Sequence, residues 1–450
     1  MPSRPPRRAF PGAGRCNSGP LRQRRCNSGP LQQRAIATAG HCDSGPLRQG
    51  RPMSVTTTAA PTAPSRTADF DLTPEQRQVR AAVREFAERE ILPFVEEHER
   101  AERYPAESIR KLVPLGYLTP LLPAEYGGGG CDVVTYGVIC EELARIDWVV
   151  ASVVSVTNSL VAGSIVRFGT DAQRDRWLPG VCDGSVLTAA ALTEPGGGSD
   201  LAAVQTRAER TAAGWSLSGS KVFISHAAHA GLLLVAATVD PAARHRGVTV
   251  FLVDPRAAGV EIGDLPMRTL KRDNLATIHF DRVALGDDAV LGEVGRGFPI
   301  LGAALDMGRF SVAARCVGQA QRAIDLSVPY AREREAFGRS IGGFQMIQQK
   351  IADMICRTES ARALVYRLGR MKDAGVERCS VEASMAKLTA SEAATANALD
   401  AIQIHGGYGF SAEYEVGRLL LEAKTLEVGE GTSELHRRVI AEHALGLRGR

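Results

Sequence analysis

The sequence predicts an α+β protein of several domains, in which a helical N-terminal domain is followed by a middle β-domain and a C-terminal helical bundle. Three changes of pattern along the chain support this prediction. Apolar residues recur at helical spacing to about residue 190, short β-rich runs bounded by Gly, Asp and Pro continue to about residue 290, and long helical segments follow Gly297. A chain of 450 residues is long enough to bury more than one core. The predicted domains are residues 69–190, 191–297 and 298–450.

Residues 1–68 form a leader that we predict to be disordered. Pro, Gly, Ser and Arg dominate it, and a Cys-Asn/Asp-Ser-Gly-Pro-Leu motif repeats at Cys16, Cys26 and Cys42. The unequal spacing argues against a solenoid, which needs a fixed period. Three interpretations stay open: a transit peptide, a basic arm for an anionic partner, or a stretch that is not translated because synthesis starts at Met53. We favour the third, because every motif described below lies after Phe70.

Charge and composition argue against several function classes. The formal net charge is +4, but residues 1–52 hold ten Arg, no Lys and one Asp, so the rest of the chain carries −5. This acidic body has no basic stripe with interleaved aromatic residues, which argues against nucleic-acid binding. The chain has no uninterrupted run of 18 apolar residues, so no membrane span is predicted. The six cysteines after the leader are scattered, so we expect reduced core thiols in a cytoplasmic protein, with neither a disulfide framework nor a metal site.

The folded part is predicted to begin at Thr73. Thr73 is a suitable N-cap, Pro74 fits the first helical position, and Gln76 completes a capping box. β-rich runs predict strands in the middle domain at residues 221–225, 232–239, 248–253 and 277–280. Helical spacing predicts C-terminal helices at residues 300–330, 344–372, 381–404 and 433–445.

Four segments carry the chemistry that the sequence suggests. They are residues 191–200 (Ala-Leu-Thr-Glu-Pro-Gly-Gly-Gly-Ser-Asp), 219–225 (Gly-Ser-Lys-Val-Phe-Ile-Ser), 334–338 (Arg-Glu-Ala-Phe-Gly) and 430–434 (Glu-Gly-Thr-Ser-Glu). Taken singly, they also fit a glycine-rich turn, a strand, a solvated basic face and a helix cap. Taken together and in this order, they resemble the acyl-CoA dehydrogenase family of flavoenzymes over roughly residues 70–446. The resemblance implies an N-terminal all-α domain, a middle β-barrel or β-sandwich domain, a C-terminal four-helix bundle and FAD as the cofactor.

The resemblance also assigns residues to the cofactor. Those beside the flavin are Leu192, Thr193, Gly198, Ser199, Phe223, Ile224, Ser225, Thr432 and Glu434. In the family, the position of Ser225 meets flavin N5, and His226 stands where Asn is common and is expected to be structural. The residues that reach the FAD of a neighbouring subunit are Arg334, Phe337, Gln345, Gln403, Gly406 and Gly407. Contacts that cross subunits imply a homo-oligomer, and the family pattern implies a tetramer.

Glu430 aligns with the base of most family members. A minority place their base on an earlier helix, at the position of Gly308, which has no side chain, so Glu430 has no rival. The implied reaction is α,β-desaturation of an acyl thioester, in which Glu430 removes the α-proton and the β-hydrogen passes as hydride to flavin N5. Ser199, Arg309 and Gly431 correspond to substrate contacts. An electron-transfer flavoprotein is the implied electron acceptor.

Two departures from the family pattern bear on the substrate, and three alternative functions stay open. Gly429 stands where many members have Tyr, which implies a wider pocket for branched, cyclic or bulky acyl groups. The segment 147–152 holds no cation where dicarboxylate-specific members carry Arg, which disfavours glutaryl-type substrates. The alternatives are desaturation of an acyl group on a carrier protein, a flavin oxidase or monooxygenase of the same fold, and a non-catalytic flavoprotein scaffold whose basic leader binds an acidic partner.

Overall fold

The structure, a computed structural model, describes residues 72–267, 270–273 and 275–447. The leader predicted at residues 1–68, with its repeat and the start at Met53, lies outside the described residues. The described chain is helical, then β-stranded, then helical again, which confirms the predicted fold class. Helix changes to strand between Cys182 and Thr188 and strand to helix between Leu291 and Gly297, while the domain bounds themselves stay predictions.

The described elements follow one another in three groups. The first helices are α1 (Pro74–Glu90), α2 (Leu92–Arg100), α3 (Ala106–Arg110), α4 (Val133–Ile146), α5 (Trp148–Ser155), α6 (Ala162–Phe168) and α7 (Asp171–Cys182). The strands are β1 (Thr188–Ala191), β2 (Arg207–Thr211), β3 (Gly214–Ile224), β4 (Leu232–Thr238), β5 (Val248–Val253), β6 (Val260–Asp264), β7 (Ala276–Leu285) and β8 (Val290–Leu291). The last group is α8 (Gly297–Glu333), a hairpin of β9 (Glu335–Ala336) and β10 (Arg339–Ser340), α9 (Gln345–Asp373), α10 (Ser380–His405), α11 (Val416–Val428) and α12 (Ser433–Ala444).

The first helix begins as the sequence predicts. The Gln76 backbone N–H donates to the Thr73 hydroxyl, and the Thr73 backbone N–H donates to the Gln76 side-chain carbonyl, which completes the capping box. Pro74 is the first helical residue, where its missing N–H costs nothing. Val83 and Phe86 lie on the buried face of this helix.

The eight middle strands belong to one sheet, in the order β6-β7-β3-β2-β4-β5-β8, and β1 pairs in parallel with β4. Successive side chains of a strand point to opposite faces, and β4 is buried on both. Leu232 and Leu234 pack into a core shared with α6, α7 and α8. Leu233 and Val235 pack into a second core shared with β3 and β7. The sheet therefore curls around its own core on one side and supports helices on the other.

The C-terminal helices pack side by side, with α8 against α4, α9 and α10. The predicted ends of α8, α9, α10 and α12 lie within three residues of the observed ones. Apolar spacing did not predict α11, because Glu422 occupies one of its buried positions and interrupts the pattern. This helix matters for the site, since it ends directly before Gly429 and Glu430.

The stretch Trp148–Phe168 is the one described segment that is long and apolar enough to cross a membrane by length and composition. It comprises α5, a π-helical turn at Val156–Val161 and α6. Most of it is buried inside the protein, against α4, α8 and the sheet, so its apolar surface is already covered.

The six described cysteines are free thiols. Cys140, Cys182, Cys316 and Cys379 are buried, as expected of core thiols. The expectation is wrong for Cys131, which is half-buried in the loop before α4, and for Cys356, which lies on an exposed face of α9, because scattered spacing along the sequence does not show burial.

Candidate active site

The turn between α11 and α12 holds Glu430 in an uncommon backbone conformation. The φ angle is +54° at Glu430 and +111° at Gly431. A left-handed φ is rare for a residue with a side chain and natural for glycine. Gly429 ends α11 by donating its N–H to the Thr425 carbonyl at 2.9 Å, and Thr432 is the N-cap of α12. The connection between the two helices therefore comprises only residues 429–432.

The Glu430 carboxylate lies against α8 at Gly308. A Cβ atom placed on Gly308 would lie 2.0 Å from Glu430 Oε2 and 2.8 Å from Glu430 Cδ, so a larger residue would have to displace the carboxylate. Glu430 Oε2 is buried and has no hydrogen-bond partner within the described residues. The position at which the sequence analysis considered an alternative base is therefore the position that makes room for Glu430.

The surroundings of Glu430 move its pKa to near neutrality. Burial raises the pKa of the Glu430 carboxyl to about 7, and the cations Arg315, Arg309 and Lys387 oppose this rise. Arg315 and Arg309 belong to α8, and Lys387 belongs to α10. A carboxylate with a pKa near 7, close to cations and without a hydrogen-bond donor on its buried oxygen, has the properties of a general base.

The residues predicted at the pyrimidine edge of the flavin lie beside the end of β3. The Val222 N–H donates to the Thr193 carbonyl at 3.0 Å, and Lys221 Nζ donates to the Leu192 carbonyl at 3.1 Å. Gly198 lies next to Thr193, since a Cβ atom on Gly198 would be 3.3 Å from Thr193 Cγ2. The structure thus brings the glycine-rich segment next to the segment that contains Phe223.

A buried ion pair anchors the glycine-rich turn. The Glu194 carboxylate accepts from Lys221 Nζ at 2.8 Å, from the Thr206 hydroxyl at 2.6 Å and from the Gln205 backbone N–H at 2.6 Å. Lys221 is fully buried, and burial lowers its pKa to about 8. This ion pair was not predicted from the sequence. A Lys inside an apolar strand is the signal that could have found it, because an unpaired Lys is rarely buried.

Phe223, Ile224 and Ser225 face different ways. Phe223 is 56% exposed and has a φ of +59°. Ile224 is buried in the core of the sheet, so the predicted cofactor contact, which stays a prediction, would be made by its backbone. Ser225 is half-buried, and its hydroxyl donates to Asp273 Oδ2 at 3.0 Å. Burial raises the pKa of Asp273 to about 7.

His226 also has a left-handed φ, +65°, a region in which Asn and His are enriched. Its ring is buried between two hydroxyl groups, with Nε2 at 3.1 Å from Ser152 Oγ and Nδ1 at 3.4 Å from the Tyr104 hydroxyl. Burial lowers the pKa of His226 to about 3, so the ring is neutral. The backbone angle explains why Asn is common here, and the buried contacts support the expected structural role.

The residues predicted to contact a neighbouring subunit's FAD form a second cluster. They lie at the end of α8 (Arg334), between β9 and β10 (Phe337), at the start of α9 (Gln345) and at the end of α10 (Gln403, Gly406, Gly407). The Arg334 guanidinium lies 5.6 Å from the centre of the Tyr408 ring. This contact joins the end of α8 to the residues that follow α10. Phe337 is 96% exposed. The rise of α10 from Lys387 to Gln403 is about 24 Å, so this cluster is remote from Glu430.

Two cations from other elements contact the segment 147–152, which itself holds none. Arg272 donates to Asp147 Oδ2 at 2.8 Å from 125 residues away. Arg315 donates to the Trp148 carbonyl at 3.4 Å from 167 residues away, and its guanidinium lies 5.6 Å from the Trp148 ring centre. The expectation against glutaryl-type substrates used this segment alone. The charge near it depends on tertiary contacts that the sequence does not show.

Three charged residues near the site were not found from the sequence: Arg315, Lys387 and Asp273. Arg315 lies seven residues after Gly308, hence on the same face of α8, and this spacing could have found it. Lys387 and Asp273 have no local signal, because their hydrogen-bond partners lie on other elements.

Models of acyl-CoA dehydrogenase domains match three successive parts of the chain. The N-terminal domain model matches residues 73–185, the middle domain model matches residues 189–283, and the C-terminal domain model matches residues 295–445. These ranges include every site residue discussed above.

Individual proteins agree with these matches. An acyl-CoA dehydrogenase of Bacillus subtilis is 38% identical over 376 residues, which cover 83% of this chain and 99% of the relative. The human mitochondrial short-chain specific acyl-CoA dehydrogenase is 39% identical and covers 80% of this chain and 88% of the relative. The solved structures of butyryl-CoA dehydrogenase from Megasphaera elsdenii (36% identity) and of a prolyl acyl carrier protein oxidase (28% identity) each have a TM-score of 0.80 and cover 83% of this chain and 99% of theirs. The chain belongs to the acyl-CoA dehydrogenase family.

Proposed function

We propose that this protein is an FAD-dependent dehydrogenase that desaturates the α,β bond of an acyl thioester, with Glu430 as the base. The observation that carries this proposal is the state of the Glu430 carboxylate. Its Oε2 atom is buried opposite Gly308 without a hydrogen-bond partner in the described residues, and its pKa is about 7. A carboxylate in this environment readily takes up a proton, as a base must.

The residues around the end of β3 fit a flavin. A flat cofactor needs an apolar surface for its ring and polar groups at its edge. Phe223 offers an exposed ring, and the glycine-rich turn offers open backbone, since a Cβ atom on Gly197 would meet nothing within 4 Å. Leu192, Thr193, Phe223 and the Ser225 hydroxyl would hold the ring. FAD, when bound, supplies the redox chemistry by accepting the hydride from the substrate β-carbon.

The residues of the chain account for the proton transfer. Before the reaction, Arg315, Arg309 and Lys387 favour the ionised carboxylate, so a useful fraction of Glu430 is ready as a base at neutral pH. Glu430 takes the α-proton, and its buried surroundings favour the protonated product. An α-proton of a thioester is far less acidic than a carboxylic acid, so the developing oxyanion needs hydrogen-bond donors and a site without water. We assign one of these donors to the Glu430 backbone N–H.

We infer an acyl-CoA with a short or bulky acyl group as the substrate. Gly429 is exposed and adds no side chain beside the base. Relatives named for short-chain and butyryl substrates support a small acyl group. Because Arg315 and Arg272 contact the segment 147–152, dicarboxylic thioesters also need to be tested.

A thioester on a carrier protein is the second candidate substrate. The similarity to a prolyl acyl carrier protein oxidase supports it, because that enzyme has the same fold. The two candidates share the base and the flavin. They differ in the group that carries the thioester. The entrance of the site would bind the nucleotide of CoA in one case and a carrier protein in the other.

We also propose that the protein acts in the cytoplasm as a homo-oligomer, a tetramer by family pattern, and passes electrons to an electron-transfer flavoprotein. The second cluster supports the oligomer. Its Phe337 is 96% exposed and the nearby Phe410 is 82% exposed, and exposed apolar surface of this kind marks interaction sites. Arg334 and Gln403 would then meet the FAD of the neighbouring subunit.

An anaerobic titration of the full-length, FAD-loaded protein tests the function. The panel contains straight, branched, aromatic and dicarboxylic acyl-CoAs and an acyl carrier protein thioester. We expect an acyl-CoA to bleach the flavin absorption and thereby to identify the acyl class. Bleaching by the carrier-protein thioester alone would select the second candidate. A bound yellow flavin that no thioester bleaches would contradict dehydrogenation and favour an oxygen-using relative, and protein that takes up no flavin would contradict FAD as the cofactor.

A further inference from the structure

We propose that Lys387 is a positioning residue that holds the Glu430 turn in its left-handed conformation and so aims the carboxylate at the substrate. The proposal rests on the proposed function, because it assigns a role to a residue beside the base. Lys387 lies within α10, outside every motif of the sequence analysis, and its side chain is fully buried.

The ammonium group of Lys387 joins the two sides of the turn. Nζ donates to the Glu427 carbonyl at 3.1 Å, in the last turn of α11, and to the Gly431 carbonyl at 2.6 Å, directly after Glu430. Carbonyls in the last turn of a helix lack intrahelical donors, so the first bond also satisfies an otherwise unpaired group. Two main-chain positions that flank Glu430 are thereby fixed to one atom of a third helix.

These bonds act on a backbone that would not adopt this conformation by itself. A left-handed φ of +54° at Glu430 is unfavourable for a residue with a side chain, and it persists only where the surroundings hold it. The buried ring of His436 supports the turn from α12, since a Cβ atom on Gly431 would lie 3.1 Å from His436 Nε2. The direction of the Glu430 side chain therefore depends on contacts outside the turn.

Lys387 also affects the charge of Glu430. It is one of the three cations that oppose the burial-raised pKa of this carboxyl. Burial lowers the pKa of Lys387 itself to about 8. The other titratable groups that face it are Cys316 and Arg309 on α8, Glu427 on α11 and His436 on α12. Within the described residues no carboxylate is close enough to form an ion pair with Lys387, so its charge acts mainly on the two carbonyls and on Glu430.

Lys387→Met removes both hydrogen bonds and the charge but keeps most of the unbranched apolar part of the side chain. In an anaerobic stopped-flow experiment with the acyl-CoA that reduces the wild type, we expect flavin reduction about 10- to 100-fold slower at saturating substrate. The dissociation constant of the substrate should change much less than the rate, and the apparent pKa of the base in the pH–rate profile should rise. Lys387→Arg keeps the charge and should restore the pH profile more fully than the rate. Lys424→Met removes an exposed Lys of α11 and should leave rate and pH profile unchanged.

The outcomes separate this proposal from a purely structural role. If Lys387 only caps α11, Lys387→Met would lower the melting temperature but leave the reduction rate and its pH profile at wild-type values, and the proposal would be wrong. If the Met variant does not fold, Lys387→Gln and Lys387→Arg take its place, and wild-type rates and pH profiles in both would overturn the proposal. A wild-type protein that binds FAD but is reduced by no thioester would instead refute the proposed function, and the role of Lys387 would be rejected with it.

Discussion

Glu430 and Gly308 face each other at the centre of the site, and each restricts which residue type fits at the other position. The absent side chain of Gly308 leaves the volume that Glu430 Oε2 fills. Arg315 and Arg309 reach the carboxylate from the same helix and keep its pKa from rising further. At the residue scale, the site is thus a buried base whose position and charge are set by its neighbours on α8 and α10.

Gly308→Ala should displace the base. The added Cβ would lie 2.0 Å from Glu430 Oε2, far inside contact distance, so the carboxylate must move. A misplacement of a catalytic group by about 1 Å lowers the reaction rate roughly 100-fold. We therefore expect flavin reduction by substrate to slow by about that factor, while FAD content stays unchanged. Gly302→Ala on the same helix, where a Cβ would meet nothing within 4 Å, is the matched control. Equal stopped-flow rates in the two variants would contradict the contact.

The raised pKa of Glu430 predicts opposite pH dependences of rate and stability. Reduction by limiting substrate should rise with pH through about 7, as the carboxylate ionises. The folded-state pKa exceeds the ordinary value of 4.5, so the folded state binds more protons between these values, and this contribution to stability is complete below pH 4.5 and lost as the pH rises through 7. Glu430→Gln should therefore stabilise the protein by about 1–3 kcal/mol at pH 8 and have little effect at pH 5. Urea unfolding at both pH values checks this, and equal effects at the two would contradict it.

Short motifs predicted some of these residues and not others. Glu430 and Arg309 lie in local segments that resemble a family, and the same resemblance drew attention to Gly308, whose role in making room for Glu430 is visible only in the structure. Lys387 and Asp273 act through hydrogen bonds to groups that are distant in the sequence. No local pattern marks such residues, because what makes them important is tertiary packing.

At the scale of elements, the site lies where α8, α10 and the α11–α12 turn meet. Periodic apolar residues predicted α8, α10 and α12 with close bounds. Periodicity failed for α11, where the buried Glu422 is held by Arg418 at 2.6 Å. A charged residue in an ion pair can occupy a core position. A search for apolar spacing wrongly assigns such a residue to the solvent-exposed face. Local periodicity likewise did not predict the order of the strands, because this order depends on pairing between distant strands, and only the family resemblance implied a barrel or a sandwich.

Arg272, between β6 and β7, ties the middle region to the helices, and its removal should destabilise the protein. It is fully buried, donates to Asp147 at 2.8 Å and to Glu99 at 2.6 Å, and lies 3.9 Å from Glu422. Arg272→Met leaves buried Asp147 without its cation, and the loss of one partner of a buried pair costs about 3–5 kcal/mol. Arg282→Met, at an arginine whose side chain is 81% exposed, should change stability by less than about 0.5 kcal/mol. A loss below about 1 kcal/mol for Arg272→Met in urea unfolding would contradict the role of this network.

At the scale of the whole molecule, the predicted cofactor residues divide between two places. One group lies around the end of β3 and at the start of α12, and the other lies about 24 Å from Lys387 along α10. The proposed oligomer, in which one subunit contacts the FAD of another, would account for this division. In that oligomer the exposed Phe337 and Phe410 would belong to an interface rather than to solvent.

Phe337→Ser should weaken both assembly and cofactor retention. Loss of a central aromatic contact in an interface typically costs about 2 kcal/mol or more, so the oligomer should dissociate at higher protein concentration than the wild type. Sedimentation velocity over a dilution series, with FAD content measured in parallel, checks this. Val294→Ser replaces a half-exposed apolar residue before α8 and is the control. Wild-type assembly and FAD content in Phe337→Ser would argue against an interface at this hairpin.

The central claim is that Glu430 removes the substrate α-proton. Its most direct test is the anaerobic reduction of Glu430→Gln, compared with the wild type, by the acyl-CoA that reduces the wild type best. The amide keeps the size of the side chain but cannot accept the proton. We predict wild-type FAD content, retained substrate binding and flavin reduction slower by about 10²- to 10⁴-fold. Undiminished reduction of Glu430→Gln would remove Glu430 from the mechanism.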